Sequence, residues 1–172
     1  KSSQSLKHLL ALQDRTPPAL APTHYVAAHY HYLYQAFESW MIYKDDHQQL
    51  SQMVVAIQEC EAMQGKQHLS LLDLGCNMGC AASALKDMTS IRAGVDVTAE
   101  MIQLADKQDL YDVLYELDMT EYAQGADMQY DLVISSGALR WYGNLQPFFS
   151  VVRNVMRGDG LFVCMLDKEM LS

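Results

Sequence analysis

One stretch limits the choice of fold more than any other: Leu71-Leu-Asp-Leu-Gly-Cys-Asn-Met-Gly79. An apolar run reaches a glycine, passes a short turn to a second glycine, and continues into the helix-forming Cys80-Ala-Ala-Ser-Ala-Leu85. That order describes a buried strand bending sharply into a helix. Gly75 permits the tight bend and Gly79 the close approach of helix and strand. The amides at the start of the helix then face outward, ready for a ligand lying against the main chain. A dinucleotide site needs G-x-G-x-x-G, and this turn lacks that spacing. It carries an acid inside the strand instead, Asp73, which disfavours a pyrophosphate and favours a cationic ligand.

Downstream, short apolar runs alternate with helical patterns. Strands are predicted over 69–74, 91–97, 113–117, 130–135 and 161–166, with helices over 80–88, 98–107 and 145–156. Thr98 is the expected cap of the second of these helices, and Met101 lies in its first turn. Strands separated by crossovers imply a parallel, doubly wound α/β sheet with helices on both faces. Upstream, Val26, Tyr30, Leu33, Phe37 and Trp40 recur at helical spacing, predicting a helix over 25–43. A second helix is predicted over 46–63, capped by Asp45 or Asp46. The prolines of Thr16-Pro-Pro-Ala-Leu-Ala-Pro-Thr23 break an earlier short helix over 5–13 and read as a linker. The expected division is a lead-in over 1–23, a helical cap over 24–66 and an α/β domain over 67–172.

Composition narrows the partners. The chain has 172 residues, half of them hydrophobic, enough for one packed core. A net charge of −9, with the twelve Lys and Arg scattered, argues against nucleic acid. No apolar run is long enough to span a bilayer, and no signal-peptide core opens the chain. The four cysteines read as reduced, packed thiols of a cytoplasmic protein. Cys76 and Cys80 lack a second close pair, and His24, His29 and His31 read more readily as a solvated helix face than as ligands, so no metal is expected.

Two further acids complete the pattern. Asp96 ends the second strand roughly 20 residues after the turn, where a carboxylate accepts both hydroxyls of a ribose. Asp118, with Met119 beside it, ends the third strand, placed either to accept from an adenine amino group or to cap a turn. Together these pieces resemble the class I S-adenosylmethionine-dependent methyltransferases. Leu72-Asp-Leu-Gly-Cys-Asn-Met-Gly79 resembles the family's first motif, Gly94-Val-Asp96 its ribose acid and Leu117-Asp-Met119 its adenine-side motif. Tyr130-Asp-Leu-Val-Ile-Ser-Ser136 resembles its fourth strand and Arg157-Gly-Asp-Gly-Leu-Phe-Val163 its turn into the fifth. The resemblance implies a Rossmann-like sheet of five parallel strands in the order 3-2-1-4-5, lacking the usual sixth and seventh. It implies S-adenosylmethionine as cofactor, held by Asp73, Gly75, Cys76, Asn77, Gly79 and Asp96, together with Val97, Met101, Asp118, Met119 and Ser135. Pro18-Ala-Leu-Ala-Pro-Thr-His-Tyr-Val26 and Ala138-Leu-Arg-Trp-Tyr-Gly-Asn-Leu-Gln-Pro147 further resemble methyltransferases that carry tetratricopeptide repeats upstream.

The expected function is methyl transfer to a small-molecule or protein acceptor, with acceptor-side candidates His24, His29, Tyr30, Arg140, Trp141 and Tyr142. No catalytic residue is assigned among them. Asn77 in place of the family's second glycine, Gly137 after the fourth strand and the short C-terminal end admit an alternative: a non-catalytic binding or regulatory module. Strand five would be an open edge, so a homodimer or a partner chain is expected to cover it.

Overall fold

The computed structural model describes residues 21–37 and 46–166, apart from the side chains of residues 33–48. The predicted helix over 5–13, most of the linker, the Asp45 cap and Trp40 lie outside the described residues. Five parallel strands form one sheet in the order β3-β2-β1-β4-β5, as expected. They are β1 (Leu69–Leu74), β2 (Thr89–Asp96), β3 (Val113–Glu116), β4 (Tyr130–Ser135) and β5 (Met156–Cys164). In chain order the helices are α1 (Thr23–Phe37), α2 (Asp46–Glu59), α3 (Cys80–Leu85), α4 (Ala99–Lys107), α5 (Met119–Gly125) and α6 (Gln146–Val152).

The centre of the sheet is apolar because it is covered on both faces. All six residues of β1 are buried. β1 pairs with β2 (Leu74 opposite Val95) and with β4 (Asp73 opposite Ile134). On one face Leu71, Leu132 and Ile134 meet Leu50, Met53 and Ile57 of α2 and Ala82 and Leu85 of α3. On the other, Leu72, Leu74 and Val133 meet Tyr122 and Ala123 of α5 and Phe148 and Val152 of α6.

Several element bounds differ from those predicted. The second N-terminal helix stops at Glu59, and Cys60 turns the chain into a single 3-10 turn, Glu61–Met63. α3 ends at Leu85, and β2 runs Thr89–Asp96, leaving Val97 in the turn that follows. Thr98 holds the N-cap position of α4 but makes no side-chain capping bond. α5 was not anticipated: seven residues carry too little periodicity to show, although Asp118-Met-Thr-Glu121 has capping-box spacing. The helix expected over 145–156 ends at Val152 and gives way to a 3-10 turn, Arg153–Val155.

β5 starts at Met156, well before the Leu161 anticipated, because Arg157-Gly-Asp-Gly160 forms a bulge within the strand instead of a turn ahead of it. Tyr130 pairs with Met156, yet Leu132 already pairs with Leu161. Two ion pairs pin this bulge. Arg157 donates to Asp131 at 2.8 Å, and Lys66, just before β1, donates to Asp159 at 2.7 Å. Asp131 also accepts from the amide and hydroxyl of Ser70, at 2.9 and 2.6 Å. Burial raises the Asp131 carboxyl, but the Ser70 and Arg157 bonds outweigh it and leave the group below its ordinary 3.8. A depressed carboxylate contributes stability above its unfolded value and loses it as pH falls. Asp131→Asn is therefore expected to cost about 1–2 kcal/mol at neutral pH, in urea denaturation, with the cost shrinking as pH falls below the ordinary carboxyl range.

Candidate functional site

The strand ends and the turn after β1 frame a cavity of about 390 Å³, within the range of small-molecule sites. Its floor is the turn itself, Gly75, Cys76 and Asn77, together with Asp96 and Val97. Gly75 sits at φ +78°, and a Cβ there would lie 2.3 Å from the Cβ of Ala138. The glycine thus lets the segment after β4 close over the turn. The amides of Gly75 and Cys76 both donate to the Val95 carbonyl, at 2.8 and 3.0 Å. Asn77 takes φ +50°, the left-handed region where Asn is the best tolerated side chain after glycine. Its Oδ1 accepts from the Met78 amide at 2.9 Å, so the substituted position keeps the turn closed.

Asp96 faces this turn from the end of β2. One carboxylate oxygen accepts from the Asn77 amide and the other from the Thr98 amide, each at 2.9 Å. Burial raises this carboxyl above its ordinary range, while the Thr98 and Asn77 amides work against that rise. Along the next strand end, Leu117, Asp118 and Met119 form the side wall. Asp118 is the N-cap of α5, its Oδ1 accepting from Thr120 and Glu121 amides at 2.8 and 3.2 Å. It caps α5 and lines the cavity at once.

The wall opposite is Ser136, Gly137 and Ala138, and α1 supplies the roof through Val26, His29 and Tyr30. α1 docks by packing three rings around Trp141: Tyr25, His29 and Tyr30, with centroids 6.3, 5.0 and 6.0 Å away. The Ala21 amide donates to the Trp141 carbonyl at 2.9 Å. Farther along, His31 Nδ1 lies 2.6 Å from a Glu100 carboxylate oxygen in the first turn of α4. Tyr142 bonds the Thr120 hydroxyl at 2.9 Å. Burial pushes its phenol up to about 12 despite that bond, so it remains protonated at neutral pH.

Of the residues singled out from the sequence, Gly75, Cys76, Asn77, Asp96, Val97, Asp118 and Met119 line this cavity. Asp73, Gly79, Met101 and Ser135 do not. Asp73 is completely buried on the α2/α3 side of the sheet, where it accepts from the Tyr111 hydroxyl at 2.8 Å. Gly79 is buried at the N-cap of α3, Met101 is sealed within the core, and the Ser135 hydroxyl donates to the Leu74 carbonyl at 2.9 Å. Among the acceptor-side candidates, His29, Tyr30, Arg140, Trp141 and Tyr142 line the cavity and His24 does not. No group of three metal-ligating side chains occurs among the described residues. Leu50, Ala81 and Ala138 also line the wall and were not anticipated. They are small or apolar residues that only the packing of α2, α3 and the segment after β4 brings there.

A methyltransferase domain profile matches residues 72–164. A probable S-adenosylmethionine-dependent methyltransferase of Saccharomyces cerevisiae is 30% identical over 99 residues, covering 54% of this chain and 34% of that protein. The chain thus spans about a third of the length of that relative. The structure of an S-adenosylmethionine-dependent methyltransferase from Clostridium acetobutylicum shares the fold at a TM-score of 0.59 and 19% identity, over 78% of this chain and 56% of that one. Another, from Thiobacillus denitrificans in complex with S-adenosyl-L-homocysteine, does so at 0.53 and 15% identity, over 69% of this chain and 47% of that one.

Asp96 holds two backbone amides without any ligand. Asp96→Ala should lower the stability of the ligand-free protein by about 1–3 kcal/mol, measured by urea denaturation. A carboxylate that served a ligand alone would leave that stability unchanged.

Proposed function

The chain belongs to the class I S-adenosylmethionine-dependent methyltransferases, its methyltransferase domain covering residues 72–164, and we propose that it binds S-adenosylmethionine in the cavity and transfers the methyl group to an acceptor. The observation that carries this is the pair of carboxylates, Asp96 and Asp118, at adjacent strand ends lining one cavity with the glycine turn. Their chemistry fits the cofactor. Asp96, a carboxylate on the cavity lining, suits the two ribose hydroxyls, and Asp118 suits an adenine amino group with Met119 against the ring. The turn at Gly75, Cys76 and Asn77 would carry the amino-acid end. We place Asp73, Gly79, Met101 and Ser135 behind these groups, as supports.

Bound there, the cofactor supplies a methyl group already activated on a sulfonium. The chain's own residues then have three tasks: to hold the donor, to align the acceptor and to exclude water. α1 and the Trp141 cluster serve the last two as a cap over the strand ends. Tyr142, protonated at neutral pH, is a hydrogen-bond donor and not a base. His29 is the cavity residue suited to remove a proton, should the acceptor carry one. The acceptor is a small molecule or a protein side chain reaching in beneath α1, in a cytoplasmic setting that agrees with four free cysteines. No helix among the described residues is long and apolar enough to cross a membrane. The outer edge of β5 is the place for further strands, a second copy or a partner chain to pair.

Titration calorimetry with S-adenosylmethionine, S-adenosylhomocysteine and NAD tests this assignment. The first two are expected to bind and NAD not, and Asp96→Ala should weaken binding by about tenfold or more. Binding of NAD alone would remove the proposal. Binding without turnover on any acceptor pool would favour a regulatory module that retains the cofactor.

A further inference from the structure

The side chain of Tyr111, which does not line the cavity, fills a slot made by two absent ones. A Cβ on Gly79 would lie 3.2 Å from its Cε2, and a Cβ on Gly94 would lie 3.0 Å from its Cε1. Gly94 stands in β2, and Gly79 opens α3. The ring is thus a wedge between β2 and the start of α3. Its hydroxyl is fixed by Asp73, which is completely buried and whose other oxygen has no partner among the described residues. Its backbone is fixed as well. The Arg92 amide donates to the Asp112 carboxylate at 2.7 Å, the Asp112 amide donates to the Arg92 carbonyl at 2.8 Å, and the Arg92 side chain donates to the Leu110 carbonyl. A side chain clamped at both ends sets where its neighbours sit.

We infer that Tyr111 is a positioning residue for the cofactor turn, locked to Asp73 and acting through Gly79 and Gly94 on the amides of residues 76–79. The inference rests on reading the cavity as the S-adenosylmethionine site, and it gives Asp73 a task other than direct contact. The turn can bend as it does only while the wedge stays in place, and the wedge stays because a buried carboxylate holds its far end.

The Asp73 carboxyl has a distinct signature. Burial drives it up to about 7, the Tyr111 hydroxyl pulls it down, and the Asp96 charge adds to the rise. The titratable groups around this pair are Asp96 from β2, Cys76 in the turn and Cys80 at the start of α3, next to the apolar residues of α2 and Ile134 of β4. Ionised Asp73 accepts more strongly from Tyr111 and places negative charge behind the turn. Affinity for the sulfonium-bearing cofactor should therefore rise between pH 6 and 8, and more than affinity for its uncharged thioether product does. Removing the Tyr111 hydroxyl removes the pull that lowers the Asp73 carboxyl, so the midpoint of that rise must move to higher pH.

The test compares wild type, Tyr111→Phe and Asp73→Asn by calorimetry across that pH range, and by amide hydrogen exchange of residues 76–79 without ligand. Tyr111→Phe keeps the ring and should fold. It is expected to bind S-adenosylmethionine about three- to tenfold more weakly at pH 7, with the midpoint moved upward. Its turn amides should exchange on the order of tenfold faster. Asp73→Asn should flatten the pH dependence. If Tyr111→Phe lowers the melting temperature but leaves the midpoint, the affinity and the turn amides as in wild type, the ring is packing alone and the inference is overturned. If wild type fails to bind the cofactor while the variant's turn amides still loosen, the cofactor assignment falls and the positioning role stands.

Discussion

A single carboxylate, that of Asp96, bridges the two chain segments on which the site depends. Its oxygens take the amide of Asn77, from the turn after β1, and that of Thr98, ahead of α4. Next to it the Val95 carbonyl receives Gly75 and Cys76 together. Four amides that would otherwise face an empty strand end are thereby paired within one turn of chain. The tight bend is held by β2 and not by the helix it introduces, which is only six residues long. Everything above the sheet, including the wall at Ala138 that Gly75 admits, is placed relative to that junction.

The elements most legible in the sequence were those with the fullest burial. β1 and β4 were anticipated to the residue, because their apolar runs are bounded by polar ones and covered on both faces. The turn and the acids after β2 and β3 were equally readable, since each needs a particular residue type at a particular place, and the strand order followed from the family resemblance. α5 and the 3-10 turns were not, because they are too short for periodicity to register. Arg157-Gly-Asp-Gly160 carries the composition of a turn, yet its glycines serve a bulge that Asp131 and Lys66 hold in line with β5. Asp73 was expected in the cavity. Strand alternation puts it with Leu71 on the α2/α3 face, and it meets Tyr111 there.

Nothing in local pattern reports how α1 lies. Its aromatic residues suit any apolar surface, and only the position of Trp141 after β4 decides which one they cover. Three rings of α1 converge on that indole, and the His31–Glu100 contact ties the same helix to α4. The cap thereby touches segments on both sides of the central strand. That explains why the cavity draws on residues from Ala21 to Tyr142 although its floor is a few residues.

The ion pairs that hold the sheet, Arg157 with Asp131 and Lys66 with Asp159, all stand at the N-terminal ends of the strands. The cavity stands at the opposite ends. Stability and recognition are thus adjusted at different poles of the same sheet, with the apolar length of β1 and β4 between them. A change of charge at the lower pole alters how firmly the sheet holds together and leaves the residues that face a ligand untouched.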